Sequence, residues 1–342
     1  MKKRVKILSV VLSIIMLFTV IVGCTNSTEK TGDAVVSDAS SSVSENNEKP
    51  LDDTTGEAKD VKIAVVLHAL NGSFYTKMKN GAEAAGKDLG IEVNVSAPNT
   101  ASSLEEQVTL LETAIASKPD AIATVIWDET GFNGVVKTAH DAGIPVVAFN
   151  MNAENAGAEA FIGQDFTIAG YELGKYIFDA MGGEGKYIIA SCAPTDTALV
   201  EREAGVDEAA KEYDGKVEKI TTIDIGSDLT NAYGVIENAI LANPDVKAII
   251  GVDVFSEAIG NVINDYDKAG EIYAGGFDLT EGMLNHVKNG NVQVTVGQNP
   301  FLQGYYAVME AYLNVTYGVD FLDINTGAQM VDAELAGEVE PE

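Results

Sequence analysis

From residue 60 onward, short runs that are apolar almost throughout alternate with longer segments whose apolar residues have helical spacing. A strand with two apolar faces must be buried on both, as happens in parallel sheets covered by helices. Alternating strands and helices produce this arrangement, so the sequence predicts an α/β fold. The candidate strands are residues 61–67, 91–97, 121–127, 144–149, 158–163, 186–192, 217–224, 246–252, 271–277 and 292–297.

Length and an internal similarity favour two lobes over one large sheet. The chain has 342 residues, enough for two domains. The stretches TGFNGVVKTAHDAGIPVVAFN (130–150) and SEAIGNVINDYDKAGEIYAGGFD (256–278) share one pattern: a helix, an Ala-Gly pair, a strand and a polar residue. We therefore predict two similar lobes, each a parallel sheet flanked by helices, with a ligand cleft between them.

One predicted helix, residues 103–117, has a well-defined start. Ser103 and Glu106 have the spacing of a capping box, in which each side chain accepts from the other residue's backbone N–H. The apolar residues that follow recur on one helical face, which predicts packing against a sheet; they are Leu104, Val108, Leu111 and Ile115.

The N-terminus has the layout of a secretory signal, with four basic residues before an apolar run over residues 7–22. That run is shorter than the roughly 20 residues a membrane span needs. The following Ile21–Cys24 resembles the bacterial lipobox, in which the cysteine is acylated and becomes the new N-terminus. We predict a lipoprotein signal peptide over residues 1–23 and a lipid anchor on Cys24 at the extracytoplasmic face of the cell membrane. The alternative is a transmembrane anchor.

Residues 24–59 are rich in Ser, Thr, Asp, Glu and Asn and show no apolar period, which predicts a disordered acidic tether. Loss of residues 1–23 removes four positive charges and takes the formal net charge from −30 to −34. So negative a surface repels phosphate backbones and argues against nucleic-acid binding.

Polar and aromatic side chains follow most of the candidate strands. Ligands of open parallel sheets bind beyond the carboxyl ends of the strands, so these residues are candidate ligand contacts. Several of these residues also have a purely structural explanation. A single Asp or Asn after a strand can cap the next helix, and Phe74 and Tyr75 in LNGSFYTK can form a hydrophobic staple at the start of a helix. Rings together with carboxylates and amides suit a neutral polyol. The candidates are Asn71, Phe74, Tyr75, Trp127, Asp128, Asn150, Asp253, Asp278 and Gln298.

These motifs give the chain a resemblance, over residues 60–334, to the type I periplasmic sugar-binding proteins of ABC importers, near the ribose- and galactose-binding branch. The stretches that carry it are NGSFY, PVVAFN, LVEREAGVDEA, AGGFDLTEG and VTVGQNPFLQGYYAV. The resemblance implies a sugar-binding role for Arg202 and Asp278, and ligand contact by Gln298 at a crossover between lobes. It departs at Asp253, where an asparagine is common, and at Ser227, where an aromatic residue often stands.

The resemblance implies a monomeric, extracytoplasmic solute-binding lipoprotein that captures a sugar or related polyol. It would deliver this ligand to a membrane permease driven by a separate ATPase. We predict an N-terminal lobe of residues 60–163 and 299–325, a C-terminal lobe of residues 164–298 and 326–335, and a tail of residues 336–342. No cofactor or metal site is expected, since His68, His140 and His286 are far apart in the sequence.

Three other functions remain as alternatives. One is binding of a nucleoside or of an autoinducer-type furanose, which the sequence does not separate from a hexose or pentose. Another is a secreted carbohydrate-acting enzyme, although no catalytic constellation is evident and we predict no enzyme activity. A transcription repressor with the same core would need a DNA-binding motif before it, where this chain carries an export signal and an acidic tether.

Overall fold

The structure is a computed structural model that describes residues 60–128 and 130–342. The predicted signal peptide, Cys24 and the predicted tether lie outside the described residues. The first lobe contains β1 (Lys62–Val66), β2 (Glu92–Ser96), β3 (Ala121–Thr124), β4 (Val146–Phe149), β5 (Ala160–Gly163), β11 (Ile324–Asn325), α1 (Ser73–Leu89), α2 (Leu104–Ala116), α3 (Asn133–Asp141) and α9 (Pro300–Tyr317). The second contains β6 (Gly185–Ser191), β7 (Val217–Asp224), β8 (Val246–Gly251), β9 (Tyr273–Phe277), β10 (Val294–Gly297), β12 (Gln329–Asp332), α4 (Phe166–Ala180), α5 (Thr197–Ala210), α6 (Leu229–Ala242), α7 (Glu257–Asp265) and α8 (Glu281–Lys288).

The two lobes repeat one sheet topology. The strand order is β2-β1-β3-β4-β5-β11 in the first sheet and β7-β6-β8-β9-β10-β12 in the second. All neighbouring strands run parallel except β12, which is antiparallel to β10. The predicted α/β fold of two parallel-sheet lobes is confirmed.

The continuous apolar runs are explained by burial on both faces of each sheet. In β1, Ile63 and Val65 belong to one apolar cluster, while Ala64 and Val66 belong to another on the opposite face. Strand β6 divides its residues between two clusters in the same way. Successive side chains of a strand point to opposite faces, so both faces of these strands are covered.

Each candidate strand is present as β1–β10: β7 has the predicted bounds, β6 is shifted by one residue, and the other eight are shorter than predicted. The largest difference is β3, which ends at Thr124 rather than at 127; beyond it, the Ile126 N–H donates to the carbonyl of Met151 in the loop after β4 (3.0 Å). Strands β11 and β12 were not predicted. They are edge strands of two and four residues, with the sequences Ile-Asn and Gln-Met-Val-Asp, and contain too few apolar residues to produce an apolar run.

The predicted capping box is only half correct. Ser103 Oγ accepts from the Glu106 N–H at 3.4 Å, as expected of an N-cap. The Glu106 carboxylate instead accepts from the backbone N–H groups of Asn99 and Thr100 (2.7 and 3.1 Å). It therefore stabilises the loop before the helix, because those N–H groups have no strand partner to bond.

Each lobe contains one helix pair in close backbone contact, made possible by glycine. A Cβ on Gly170 of α4 would lie 1.9 Å from the Arg202 carbonyl oxygen, and one on Gly205 of α5 would lie 2.0 Å from that of Thr167. Helices α1 and α9 meet in the same way through Gly81 and Gly304. Glycine thus sets the distance between α4 and α5, and with it the position of Arg202 relative to α4.

The chain passes between the two sheets at three places: after β5, after β10 and between β11 and β12. The side chain of Gln164, in the first connection, bonds near the other two. Its Nε2 donates to the carbonyls of Gly297 (3.3 Å) and Gly327 (3.2 Å). The three connections therefore lie side by side, below the carboxyl ends of both sheets.

Candidate ligand-binding site

Asp278 and Gln298 form the centre of the candidate site, at the ends of β9 and β10. Gln298 Nε2 donates to Asp278 Oδ1 at 2.7 Å, which fixes both side chains. Asp278 has a left-handed backbone (φ +67°), a conformation that Asp and Asn adopt more readily than other residues with a Cβ. Asn150, at the end of β4, shares it (φ +66°). The sharp turns after these strands aim short polar side chains at the space between the lobes.

Arg202 is a buried cation beside this centre. Its guanidinium carbon lies 3.8 Å from the centroid of the Phe277 ring, and it donates to Gln164 Oε1 (3.1 Å) and the Val252 carbonyl (2.9 Å). Burial lowers the pKa of the guanidinium, and the charges of Asp278 and Asp253 oppose that shift. Arginine stays protonated in proteins, so Arg202 remains a cation with donors to spare. Within the described residues, its Nε has no hydrogen-bond partner.

The first lobe contributes aromatic side chains from the start of α1. Tyr75 is half-buried and lies edge-on to His68 (centroids 4.8 Å apart) and to Phe74 (5.4 Å). Burial raises the pKa of the Tyr75 hydroxyl, and the nearby charge of Asp278 raises it further. Tyr75 is therefore close to Asp278 across the lobes. Phe74 is also half-buried and packs partly against the core of the first lobe.

Asn150 is connected to the same centre through a glutamine. Asn150 Nδ2 donates to Gln303 Oε1 (3.1 Å), and Gln303 Nε2 donates to the carbonyl of Gln298 (2.9 Å). Asn150 is 6% exposed and Gln303 is fully buried. This chain of bonds joins the end of β4 in the first lobe to the end of β10 in the second.

Asp253 is buried beside Arg202, but backbone groups already bond its carboxylate. One oxygen accepts from the Cys192 N–H (2.6 Å) and the other from the Phe255 N–H (2.8 Å). Burial raises the pKa of the carboxyl group, and these two bonds oppose the shift. Asp253 thus ties the end of β6 to the end of β8, which reduces its capacity to accept from a ligand.

Trp127 lies in the wall of a cavity of about 750 Å³ that is lined by residues of both lobes beside the connections, whereas Asp278, Gln298, Arg202 and Tyr75 do not line it. The cavity is also lined by Met151, Phe161, Gln164, Phe166 and Asp196. The Trp127 indole N–H donates to Gln107 Oε1 (2.9 Å), and Gln107 is itself fully buried. The indole is therefore held in one orientation at the edge of the cleft.

Two candidate residues lie apart from this centre. Asn71 is exposed in the loop between β1 and α1. Asp128 accepts from the N–H groups of Thr130 (3.0 Å) and Gly131 (2.7 Å). The bond from Gly131 is the main cause of the lowered pKa of the Asp128 carboxyl. Asp128 therefore stabilises its own loop, which is the structural alternative given above for a single Asp after a strand.

Gln107 and Gln303 are site residues that the sequence did not indicate, since both lie on helix faces whose other members are apolar. Gln164, by contrast, follows β5 directly and is one of the polar residues that the strand-end rule selects, at a predicted crossover between the lobes. A glutamine on an otherwise apolar face is a usable signal, since a buried amide needs partners. Ser191, the last residue of β6, is fully buried, and in the described part of the chain neither its hydroxyl nor His68 Nδ1 has a hydrogen-bond partner. Burial lowers the pKa of His68 to about 4, so its ring is neutral at pH 7.

The described residues contain no group of three or more His, Cys, Asp or Glu side chains placed to hold a metal ion. Among the helices of residues 60–128 and 130–342, none combines the length and apolar character of a membrane span. The arrangement instead offers the buried Arg202 cation, carboxylate and amide acceptors, and aromatic faces. Such a set recognises a neutral ligand with several hydroxyl groups.

Two α/β lobes joined by three connections, with polar and aromatic groups converging from both sheets, define a two-lobed binding protein with an interlobe site. The chain belongs to the periplasmic binding protein domain family, whose match covers residues 63–318. This confirms the resemblance that the motifs carry.

Curated relatives and solved structures extend this finding. The ribose import binding protein RbsB of Bacillus subtilis is 28% identical over 266 residues, covering 77% of this chain and 84% of that protein. The xylose/arabinose-binding protein XylF of Sulfolobus acidocaldarius is 25% identical over 291 residues, covering 79% and 70%. An ABC transporter periplasmic solute-binding protein of Actinobacillus succinogenes, solved with bound D-allose, has a TM-score of 0.72 and 25% identity, covering 82% of this chain and 100% of that one.

Trp127 gives a direct optical test of the cleft, because it is the only tryptophan in the chain. Closure or ligand contact at the cavity wall should change the solvent exposure of the indole. We expect a sugar that binds by calorimetry to change the intrinsic emission saturably, with the same affinity. Trp127→Phe should abolish the change. Unchanged emission at full calorimetric saturation would place Trp127 outside the binding event.

Proposed function

We propose that the protein is an extracytoplasmic binding protein that captures a neutral sugar or related polyol and delivers it to an ABC import permease. The observation that carries this proposal is the cluster of Arg202, Asp278 and Gln298 beside Tyr75, with a buried Arg202 Nε that lacks a partner. An unsatisfied buried donor costs roughly 1–3 kcal/mol, which a ligand hydroxyl would offset. Relatives named for ribose, xylose, arabinose and allose support the substrate class.

Isothermal titration calorimetry at pH 7.5 against D-ribose, D-allose, D-xylose, D-arabinose, D-glucose and D-galactose tests the proposal. We expect saturable binding, micromolar or tighter, of at least one of these sugars. Binding of amino acids or metal ions alone would contradict it. Mass spectrometry of ligand retained through purification would reveal a nucleoside or a furanose-type signal instead.

The protein acts without turnover in this proposal. The site contains acceptors and a cation that stay bonded to their neighbours, and the curated relatives are named as binding proteins rather than enzymes. Incubation of a bound oligosaccharide or glycoside with the protein should return it unchanged. Release of a reducing sugar would instead favour the carbohydrate-acting enzyme.

We also propose that residues 1–23 are removed, that Cys24 carries the lipid, and that residues 24–59 tether a monomeric protein to its membrane near the permease. The family is extracytoplasmic by its description, which supports export. Two acyl chains suffice for stable anchoring. A small-molecule sugar, the permease and its ATPase are then the partners, with no role for nucleic acid.

Replacing the proposed lipidated cysteine tests the anchor. Cys24→Ser should release the protein into the medium or leave it unprocessed, because serine offers no thiol for acylation. Fractionation and intact mass measurement would detect both results. A cleaved Cys24→Ser form that still resists extraction from membranes by salt would contradict the proposal, and Cys192→Ser is the matched control.

A further inference from the structure

The last residues of the sequence return to the candidate site. After β12, Ala336 is fully buried and Val339 packs against the apolar cluster of the second lobe. The Glu342 N–H then donates to the carbonyl of Leu279 (2.9 Å), next to Asp278. The chain thus runs back along the second lobe, and residue 342 lies beside the residues proposed to bind sugar. We call residues 340–342 the cleft segment.

The cleft segment contacts both lobes. Lys77, on α1 of the first lobe, donates from Nζ to the carbonyl of Glu340 (3.1 Å). In the second lobe, the carbonyl of Leu279 accepts from the Glu342 backbone N–H, and the backbone N–H of Gln298 faces the Glu342 carboxyl group closely enough to lower its pKa. One Glu342 carboxyl oxygen is buried without a hydrogen-bond partner in the described part of the chain. These are contacts that a ligand between Asp278 and α1 would replace.

We propose that the cleft segment is a built-in occupant of the sugar site, and that a sugar binds by displacing it. The inference rests on the proposed function and adds regulation of the same site. The segment places an acid next to the carboxylate of Asp278, where a sugar would place a hydroxyl donor. The cleft segment is a poorer partner for Asp278 than a sugar is, so a sugar can displace it. Because the segment is part of the same chain, it remains close to the site after displacement.

The charged groups around Glu342 make this competition sensitive to pH. Asp278 follows β9, Lys77 and Tyr75 lie on α1, and Arg202 and Asp253 reach Asp278 from α5 and β8. Burial raises the pKa of the Glu342 side chain from its ordinary 4.5 to about 7, and the charge of Asp278 adds to the shift. Lys77 and the Gln298 N–H oppose it.

The sign of the effect follows from the raised pKa. A seated Glu342 holds its proton more tightly than a released one, so the seated form is most stable below about pH 4.5. It loses stability as the pH rises to about 7 and then levels off. Within that window the seating constant falls about tenfold per pH unit. Apparent sugar affinity should therefore rise about twentyfold from pH 5.5 to pH 7.5 where the segment is mostly seated.

Calorimetry of the full chain at pH 5.5 and 7.5, with the sugars of the panel as probes, tests the proposal. We expect wild-type affinity to rise about twentyfold between these pH values, within the window that linkage predicts. Removal of residues 340–342 should give tight binding at both. Glu342→Gln cannot ionise, so its binding should be weak and independent of pH. Glu340→Gln is the matched control, because that side chain is exposed, and should behave as wild type.

Hydrogen exchange of residues 335–342 in the sugar-free protein, corrected for intrinsic pH dependence, gives an independent readout. The protection of the segment should fall about twentyfold from pH 5.5 to pH 7.5 in wild type, but should be the same at both pH values in Glu342→Gln. Tight sugar binding that is unchanged by removing residues 340–342 would overturn the inference and leave the proposed function standing. If no sugar binds even after removal, the proposed function fails, and an unprotected segment at pH 5.5 would overturn the seating as well.

Discussion

Replacing Asp278 by alanine is expected to weaken sugar binding by tenfold to a hundredfold. A charge-assisted hydrogen bond to a ligand hydroxyl contributes about 1.5–3 kcal/mol. Its loss also leaves Gln298 Nε2, which donates to Asp278 Oδ1, without its acceptor. The backbone adds a second effect, since alanine at φ +67° is strained by about 1–2 kcal/mol. Calorimetry and thermal unfolding measure the two effects separately.

Asparagine at position 278 separates the effect of the carboxylate charge on binding from the effect of the left-handed backbone on stability. Asp278→Asn retains a residue that tolerates the left-handed backbone, so its unfolding midpoint should stay near wild type while its sugar affinity falls. Asp267 provides a matched control, because it is an exposed aspartate of the same lobe with a similar backbone (φ +53°). Asp267→Ala should lose stability without losing affinity. Wild-type affinity in Asp278→Asn and Asp278→Ala would remove Asp278 from the site.

Replacing Arg202 by methionine is expected to have the larger effect, a loss of binding of about a hundredfold or more. Two charge-assisted bonds to the ligand, at about 1.5–3 kcal/mol each, would disappear together. Methionine fills similar volume but leaves the carbonyl of Val252 and Oε1 of Gln164 without their donor. Asp278 and Asp253 also lose the nearby positive charge. The unfolding midpoint should therefore fall along with the affinity.

Lysine distinguishes charge from geometry at this position. Arg202→Lys keeps the cation but cannot place a planar fork over the Phe277 ring and bond Gln164 and Val252 at once. We expect it to recover part of the stability and little of the binding. Full affinity in Arg202→Lys would show that only the charge matters, and full affinity in Arg202→Met would exclude ligand contact by Arg202.

Much of the fold is predictable because burial on both faces of a sheet leaves a continuous apolar run. That signal located β1 to β10. It failed for β11 and β12, where two and four residues pair at a sheet edge. Their pairing depends on the lobes being assembled already, which no local pattern records.

The candidate site was predictable where side chains follow strands, as at Tyr75, Asp278 and Gln298. The same rule selected Asp128, whose carboxylate bonds its own loop, because local and long-range use of an aspartate look alike in sequence. Gln107, Gln303 and the cleft segment were missed for a different reason. Their partners are distant in the chain, as with Asn150 and Gln303 or Glu342 and Leu279, so no spacing rule connects them.

Gln164 bears on how many independent motions the two lobes have. Two rigid lobes joined by three independent flexible connections could twist, slide and bend in different combinations. Here one side chain is bonded near each of the other two connections and also to Arg202. If one connection slid past another, the hydrogen bonds made by the buried Gln164 side chain would break. A rotation of all three connections together preserves these hydrogen bonds. These bonds therefore favour a common rotation of the lobes over sliding of one connection past another, and they link the Arg202 guanidinium to the same connections.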